Sequence, residues 1–298
     1  MDLKKALNKD RVIKALIGMS VKAFKNLSAG FYGRVKESFQ SERKVNIERG
    51  RPRKLRTGEE LLFFILFYLK CYPTFDLLGC IFNLSASEAC RCVHWLMPAL
   101  KKHLKKELVL PARRISSLAE FFRLYPGVQS VFIDGTERPI RRPQSSERQK
   151  KYYSGKKKRH TVKNIIMNDE KKRVLVVTET EEGKKHDKTA FLESGSLEHI
   201  PEEAAIVVDL GFQGIEKEKG RQRVIIPHKK PKKRELPEEL KAENTTIARK
   251  RVVSEHTISA IKRYGAVSHI YRNHKPNFED DVMLAACGLW NYYLKSAS

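Results

Sequence analysis

Apolar residues open the chain at roughly helical spacing: Leu3, Leu7, Val12, Ile13, Leu16 and Ile17. The first 45 residues are therefore helix-permissive, although their polar composition points to no particular role. From Glu59 to about Leu104 the pattern stays helical and turns strongly apolar. Leu61 to Leu69 reads as a buried helix, and Tyr72-Pro73-Thr74 starts another. Phe75, Leu77, Leu78, Ile81 and Phe82 suit a short helix with one buried face. Asn83-Leu84-Ser85 then predicts a tight corner. Asn tolerates the left-handed conformation, Leu84 plugs the core, and Ser85 caps the next helix in an S-x-x-E capping box with Glu88. Two short helices joined by such a corner make a helix-turn-helix. Ala89, Cys92 and Val93 would face inward, leaving Ser87, Arg91 and His94 outward. Pattern alone favours an ordinary helical hairpin.

At Val128 the period changes. Val131-Phe132-Ile133 predicts a short buried strand ending in Asp134. His160 to Met167 and Arg173 to Thr180 alternate as a hairpin turning at Asn168-Asp169-Glu170. Ala190-Phe191-Leu192 suggests a helix, Ala205 to Val208 a buried strand ending in Asp209, and Val224-Ile225-Ile226 a further strand before the basic loop His228 to Arg234. A long helix from about Asn244 to Tyr264 and a terminal one from about Phe278 to Leu294 complete the series. The fold expected is α/β, a mixed sheet flanked by helices, preceded by an all-α helix-turn-helix domain. We divide the chain into a helical segment with basic linker (1–58), a helix-turn-helix (59–105), a connector (106–127) and a catalytic domain (128–298).

Charge adds the partner. The 298 residues hold 60 Lys and Arg against 35 Asp and Glu, a formal charge of +25. Such an excess repels itself unless a polyanion is bound, which points to nucleic acid or an anionic membrane. The longest apolar run, Leu61 to Leu69, is well short of the ~20 residues that span a bilayer. No secretory leader opens the sequence, and the five cysteines (Cys71, Cys80, Cys90, Cys92, Cys287) lack zinc-type spacing, which suits buried thiols in a reducing cytoplasm. With this charge excess, the helix-turn-helix reading gains on the plain hairpin, and Ser87 and Arg91 become candidate DNA contacts. Arg49-Gly50-Arg51-Pro52-Arg53-Lys54 is either an extended ribbon able to enter an A·T minor groove through Arg51 and Arg53, or a solvated linker. Residues 141 to 163 carry ten Lys or Arg and one acid, Glu147, interleaved with Tyr152 and Tyr153. That ratio favours a phosphate track over a merely solvated hairpin.

Three acids are candidate chemistry. Asp134 and Asp209 each follow a run of strand-forming residues and are each closely followed by glycine, which would let a substrate backbone approach. On neighbouring strands the two carboxylates would emerge at one sheet edge and repel; a hard divalent cation removes that penalty, and oxygen-only ligands favour Mg²⁺ or Mn²⁺. Glu255, with Arg251 four residues before and Lys262 seven after, forms one stripe on the long helix. Taken singly, each aspartate is more commonly a turn cap, and Arg251–Glu255 more commonly an exposed ion pair.

In order along the chain, these segments resemble the DDE transposases. The motifs are Ile133-Asp134-Gly135-Thr136-Glu137-Arg138-Pro139-Ile140, Tyr153-Ser154-Gly155-Lys156-Lys157-Lys158-Arg159-His160-Thr161-Val162-Lys163, Val208-Asp209-Leu210-Gly211-Phe212-Gln213-Gly214, and the Arg251/Glu255/Lys262 stripe. Insertion-sequence transposases are the nearest in pattern, with kin among Harbinger-type elements. The resemblance implies a ribonuclease H-like fold in which Asp134, Asp209 and Glu255 hold two Mg²⁺ (or Mn²⁺) ions for DNA cleavage and strand transfer. It implies DNA contacts at Arg138, Arg141, Arg142, Lys156, Lys157, Lys158, Lys163, Arg251 and Lys262, double-stranded DNA as partner, and at least a homodimer to pair two ends. Related enzymes often carry Tyr three residues before the stripe's Arg, where this chain has Ala248. A catalytically inactive, domesticated DNA-binding protein and a metal-dependent nuclease of another pathway are the rival readings.

Overall fold

The computed structural model describes residues 3–43, 53–218 and 223–297. The chain forms two compact units, one running to Leu110 and resuming at Ile261, the other Pro111–Ala260. Arg51 and most of the Arg-Gly-Arg-Pro ribbon fall outside the described residues.

The first unit is helical throughout: α1 (Leu3–Leu7), α2 (Asp10–Ile17), α3 (Val21–Ser28), α4 (Phe31–Arg43), α5 (Gly58–Cys71), α6 (Phe75–Phe82) and α7 (Ala86–Lys106). Leu61 to Leu69 is buried on every side of α5, as a continuous apolar run requires. Its start is set by Thr57, whose hydroxyl accepts from Glu60 N while the Glu60 carboxylate accepts from Thr57 N at 2.9 Å. Reciprocal caps of this kind stabilise a helix start by about 1 kcal/mol.

The helix-turn-helix corner forms as the sequence predicts. Asn83 ends α6 in the left-handed region, and Ser85 opens α7 in a capping box with Glu88. Gly79 is what lets the corner close. A Cβ there would sit 2.6 Å from the Leu84 carbonyl oxygen, while Leu84 N donates to Gly79 O at 2.9 Å. Ala89 and Val93 are buried, and Ser87 and Arg91 are exposed. His94 departs from expectation. Its ring bonds Asn273 and packs edge-on against Phe278 at 4.9 Å, so it belongs to the packing of this unit.

The second unit opens with α8 (Leu118–Leu124) and is built on a seven-stranded mixed sheet. In chain order come β1 (Ser130–Pro139), α9 (Ser146–Tyr152), β2 (Tyr153–Ser154), β3 (Arg159–Asp169), β4 (Val174–Val177), β5 (Glu181–Glu182), α10 (Asp187–Glu193), β6 (Ala205–Val208), β7 (Val224–Ile225) and α11 (Glu238–Ile261). The central path runs β2-β3-β1-β6-β7, with β4 and β5 both paired to β3. β1 is antiparallel to β3 and parallel to β6, and β6 is parallel to β7. Val131, Ile133, Ile165, Met167, Ile206 and Val208 turn one face onto Phe121 of α8 and Phe191 of α10, the core of this unit. The mixed α/β class with an all-α module before it matches the sequence expectation.

Two boundaries differ from the pattern. β1 does not stop at Asp134 but continues to Pro139, because β3 pairs with it residue by residue from Val131↔Asp169 to Pro139↔Thr161. α11 begins at Glu238, six residues before the expected start, and ends at Ile261, so Lys262 lies just past the regular helix.

After α11 the chain adds α12 (Gly265–Ser268) and α13 (Phe278–Ala297) to the helical unit. α13 is buried along most of its length. Asn291 donates to Val109 O at 3.0 Å, and the Tyr292 hydroxyl donates to Ala23 O at 3.0 Å. The sequence division grouped this helix with the sheet, whereas its apolar surface is covered by N-terminal helices.

Candidate active site

Asp134 and Asp209 are brought together by strand register. β1 and β6 run parallel with Ile133 opposite Val208, so the next residue of each strand carries a carboxylate at the same level of the sheet. Asp134 Oδ1 accepts from Gly135 N at 2.7 Å, and Asp209 Oδ1 from Gly211 N at 2.7 Å. Asp209 thereby caps the short 3₁₀ turn Leu210–Phe212. Burial, and after it the Asp209 carboxylate, push the Asp134 carboxyl up to about 6, while Arg251 and the Gly135 N–H pull the other way. Arg251 projects from α11 with a guanidinium nitrogen 3.9 Å from Asp209 Oδ2.

Glu255 is exposed one turn further along α11. Among the described residues no ion pair joins it to Arg251, whose carboxylate partner is Asp209. Also among them, no group of three or more His, Cys, Asp and Glu side chains could hold a metal ion. Two of the three expected acids are therefore assembled and the third stands apart. A part-buried, self-repelling pair of carboxylates, oxygen ligands only, suits a hard divalent cation, so the residues present fit one.

A third carboxylate missed by the sequence reading stands beside the pair. Asp187, first residue of α10, points at the glycines that follow both aspartates. A Cβ on Gly135 would lie 2.9 Å from Asp187 Cγ, and one on Gly211 3.3 Å from Asp187 Oδ2. The expected space for a substrate backbone at Gly135 is thus filled from within the protein. Lys163, buried in β3, neutralises Asp187 at 2.6 Å and donates to Lys185 O at 2.6 Å. A helix-opening aspartate after a Gly-Lys-Lys turn is too common a pattern to have marked this position.

The expected DNA contacts divide. Arg141, Arg142, Arg148, Lys150, Lys151, Lys156, Lys157, Lys158 and Arg159 are exposed on α9 and the turns beside it. Lys163 and Arg138 are not. Lys163 is spent on Asp187, and Arg138 is 2% exposed, bonding Asn164 at 2.8 Å and Thr180 at 3.1 Å inside the sheet. Both project from strands covered by the protein: Arg138 lies on the inward side of β1, and β3 is buried at every position from Thr161 to Asp169. Arg53 is exposed with its guanidinium over the Trp95 ring at 5.2 Å.

A carboxylate pair on adjacent parallel strands, one within β1 and one just past β6, with Arg251 of a following helix beside it, is what a nuclease of the DDE type is built from. The chain belongs to the DDE superfamily endonucleases, whose family model matches residues 133–291. A second model, the helix-turn-helix of DDE superfamily endonuclease, matches residues 53–106, so the N-terminal module is a DNA-binding one. The chain is similar to the "probable transposase for insertion sequence element IS702" of Microchaete diplosiphon, 29% identical over 281 residues, covering 94% of this chain and 96% of that protein. No solved structure gives a significant match. No helix among the described residues is long and apolar enough to cross a membrane.

Proposed function

We propose that this endonuclease is a DNA transposase of the insertion-sequence type, which cuts at the ends of its own element and joins them to new DNA. The observation that carries the reading is the side-by-side Asp134–Asp209 pair, held in a part-buried setting within a family-matched sheet. The end-to-end similarity to a transposase of nearly the same length supports it. Residues 59–105 would bind the element ends, with Ser87 and Arg91 of α7 reaching the major groove. The sheet unit, Pro111–Ala260, would carry the catalytic residues, and pairing of two ends would take at least a homodimer.

Asp134, Asp209 and Glu255 would hold two Mg²⁺ or Mn²⁺ ions, with Glu255 brought in by movement of α11 or by DNA. Metal bound there would supply Lewis-acid activation of an attacking water or 3′-hydroxyl and stabilise the departing oxygen. The protein's own contribution is position and charge. Gly135 N and Gly211 N each hold one carboxylate oxygen and fix the direction of the other. Arg251 would reach a phosphate oxygen near the acids, and the exposed cations of α9 and the 156–159 turn would grip the flanking backbone.

The test is divalent-metal-dependent cleavage of DNA carrying the inverted repeats that flank the gene, with Asp134→Ala and Glu255→Ala as controls. Loss of cleavage in both, with end binding retained, is expected; cleavage surviving either one discards the site. The exposed position of Glu255, apart from the acid pair, favours as second reading a DNA-binding protein that no longer cuts. End binding without cleavage by the native chain would establish that instead.

A further inference from the structure

Beside the row of exposed cations lies an open groove lined by Arg142, Lys150, Lys184, Tyr153, His160 and Gln149, with no carboxylate among its lining residues. Its feature is an apolar ring where phosphate grip alone would need none. Tyr153 is 42% exposed, an aromatic side chain open to solvent. The ring is not loose. Tyr153 pairs with His160 across β2 and β3, and the two rings stand edge to face at 5.7 Å and 71°. The groove walls are held by backbone and amide bonds, with Lys184 N donating to Lys151 O and Gln149 Nε2 donating to Pro143 O at 2.8 Å. Gln149 Oε1 in turn accepts from Arg142 at 2.9 Å, fixing a guanidinium at the rim.

An oriented aromatic face among cations matches a ligand that carries a flat ring and a phosphate together. A base inside a duplex cannot meet it, since its faces are covered by neighbouring base pairs; an unpaired nucleotide can. We infer that this groove binds an unpaired nucleotide of the DNA substrate, its base stacked on Tyr153 beside His160 and its phosphates against Arg142, Lys150 and Lys184. The inference rests on the chain being a DNA-processing transposase and deepens that reading. It makes the preferred substrate a duplex with a single-stranded extension, such as a staggered cut leaves, rather than a continuous one.

The experiment uses the full chain and fluorescence anisotropy at one fixed salt concentration. Five probes share one duplex sequence: blunt, extended by a short single strand of either polarity, and extended in either polarity by the same length of abasic sites. The native chain is expected to bind one of the base-bearing extensions about tenfold more tightly than the blunt duplex, in the range of one stacked base. The abasic extension should lose most of that gain. Tyr153→Ala should abolish the preference while leaving blunt-duplex affinity unchanged, and Tyr153→Trp should keep it. Equal binding of all probes, an abasic extension bound as tightly as a base-bearing one, or an intact preference in Tyr153→Ala would overturn the inference alone. Failure of the native chain to bind the blunt duplex as well would overturn the transposase reading with it. A circular dichroism spectrum of Tyr153→Ala matching the native one confirms that a surface contact, not the fold, was removed.

Discussion

Arg251 faces Asp209 across 3.9 Å, so the positive charge nearest the acid pair comes from the same helix as the third expected acid. The guanidinium also lowers the proton affinity of Asp134, offsetting part of what burial and Asp209 raise. Arg251 therefore stabilises the ionised Asp134 carboxylate when no metal is there. Being only one turn from Glu255, it shares any displacement of α11 that would bring that carboxylate in.

Removing this charge has a direct readout. In Arg251→Met the Asp134 carboxyl should titrate above about 6, followed by carbon-13 NMR of the side-chain carboxyl in metal-free buffer. Arg251→Lys should restore most of the native midpoint, since the interaction acts through charge. An unchanged midpoint in Arg251→Met would show that the guanidinium does not reach Asp134 electrostatically.

The raised Asp134 carboxyl makes stability depend on pH in a defined sense. Its folded value, about 6, lies above the unfolded 3.8, so the native state binds the proton more tightly in that window. The favourable contribution is complete below about pH 4 and is lost as pH rises to 6. Asp134→Asn should then be more stable than the native chain at pH 7 without metal, on the order of 3 kcal/mol, from about 1.4 kcal/mol per pH unit. Near pH 4 the two should melt together. Chemical denaturation at both pH values checks this, and a native chain at least as stable as the variant at pH 7 contradicts it.

Gly135 has a steric duty toward Asp187. Gly135→Ala forces a Cβ to 2.9 Å from the Asp187 carboxylate and should destabilise by about 1–3 kcal/mol, the usual range for overpacking. Pairing it with Asp187→Ala should restore less than the full loss, because Lys163 is then buried without its partner. Additive losses in a double-mutant cycle by urea unfolding would show that the two positions do not meet.

Lysines in one basic motif should behave in two ways. Lys163→Met leaves Asp187 facing no cation and should cost about 3–5 kcal/mol of stability without changing the salt dependence of DNA binding. Replacing the exposed Lys156, Lys157 and Lys158 together by Gln should leave stability nearly unchanged. If all three meet phosphates, the slope of log affinity against log salt should fall by about 2–3. A triple variant with the native slope would remove that turn from the interface.

Local chemistry is what the sequence conveyed well. Asn83, Ser85 and Glu88 make the corner and cap of the helix-turn-helix through contacts within a few residues, and these form wherever the chain is placed. Leu61 to Leu69 announced burial on all sides of a helix because no polar residue interrupts it. Harder to read were the ends of elements set by partners. β1 runs past Asp134 only because β3 supplies hydrogen bonds as far as Thr161, and no residue between 134 and 139 advertises that. α13 presents apolar surface without stating which helices will cover it.

Charge in strands misled for a related reason. Arg138 and Lys163 belong to basic motifs in sequence, yet both lie in strands covered by the protein, where Asn164, Thr180 and Asp187 receive them. Asp187 itself was invisible, since its meaning comes from two glycines 52 and 24 residues distant.

Residue order alone determined the helix-turn-helix, the class of the sheet, the polyanionic partner implied by +25 charges, and the candidacy of Asp134 and Asp209. Each depends on propensity, capping or composition, which act over a few residues or over the whole chain. Tertiary structure alone decided that Ile133 pairs with Val208 so that the two aspartates adjoin, that Asp187 and Lys163 stand beside them, and that Arg251 rather than Glu255 meets Asp209. Those relations join residues tens of positions apart, and only strand register and the placement of α10 and α11 bring them within bonding distance.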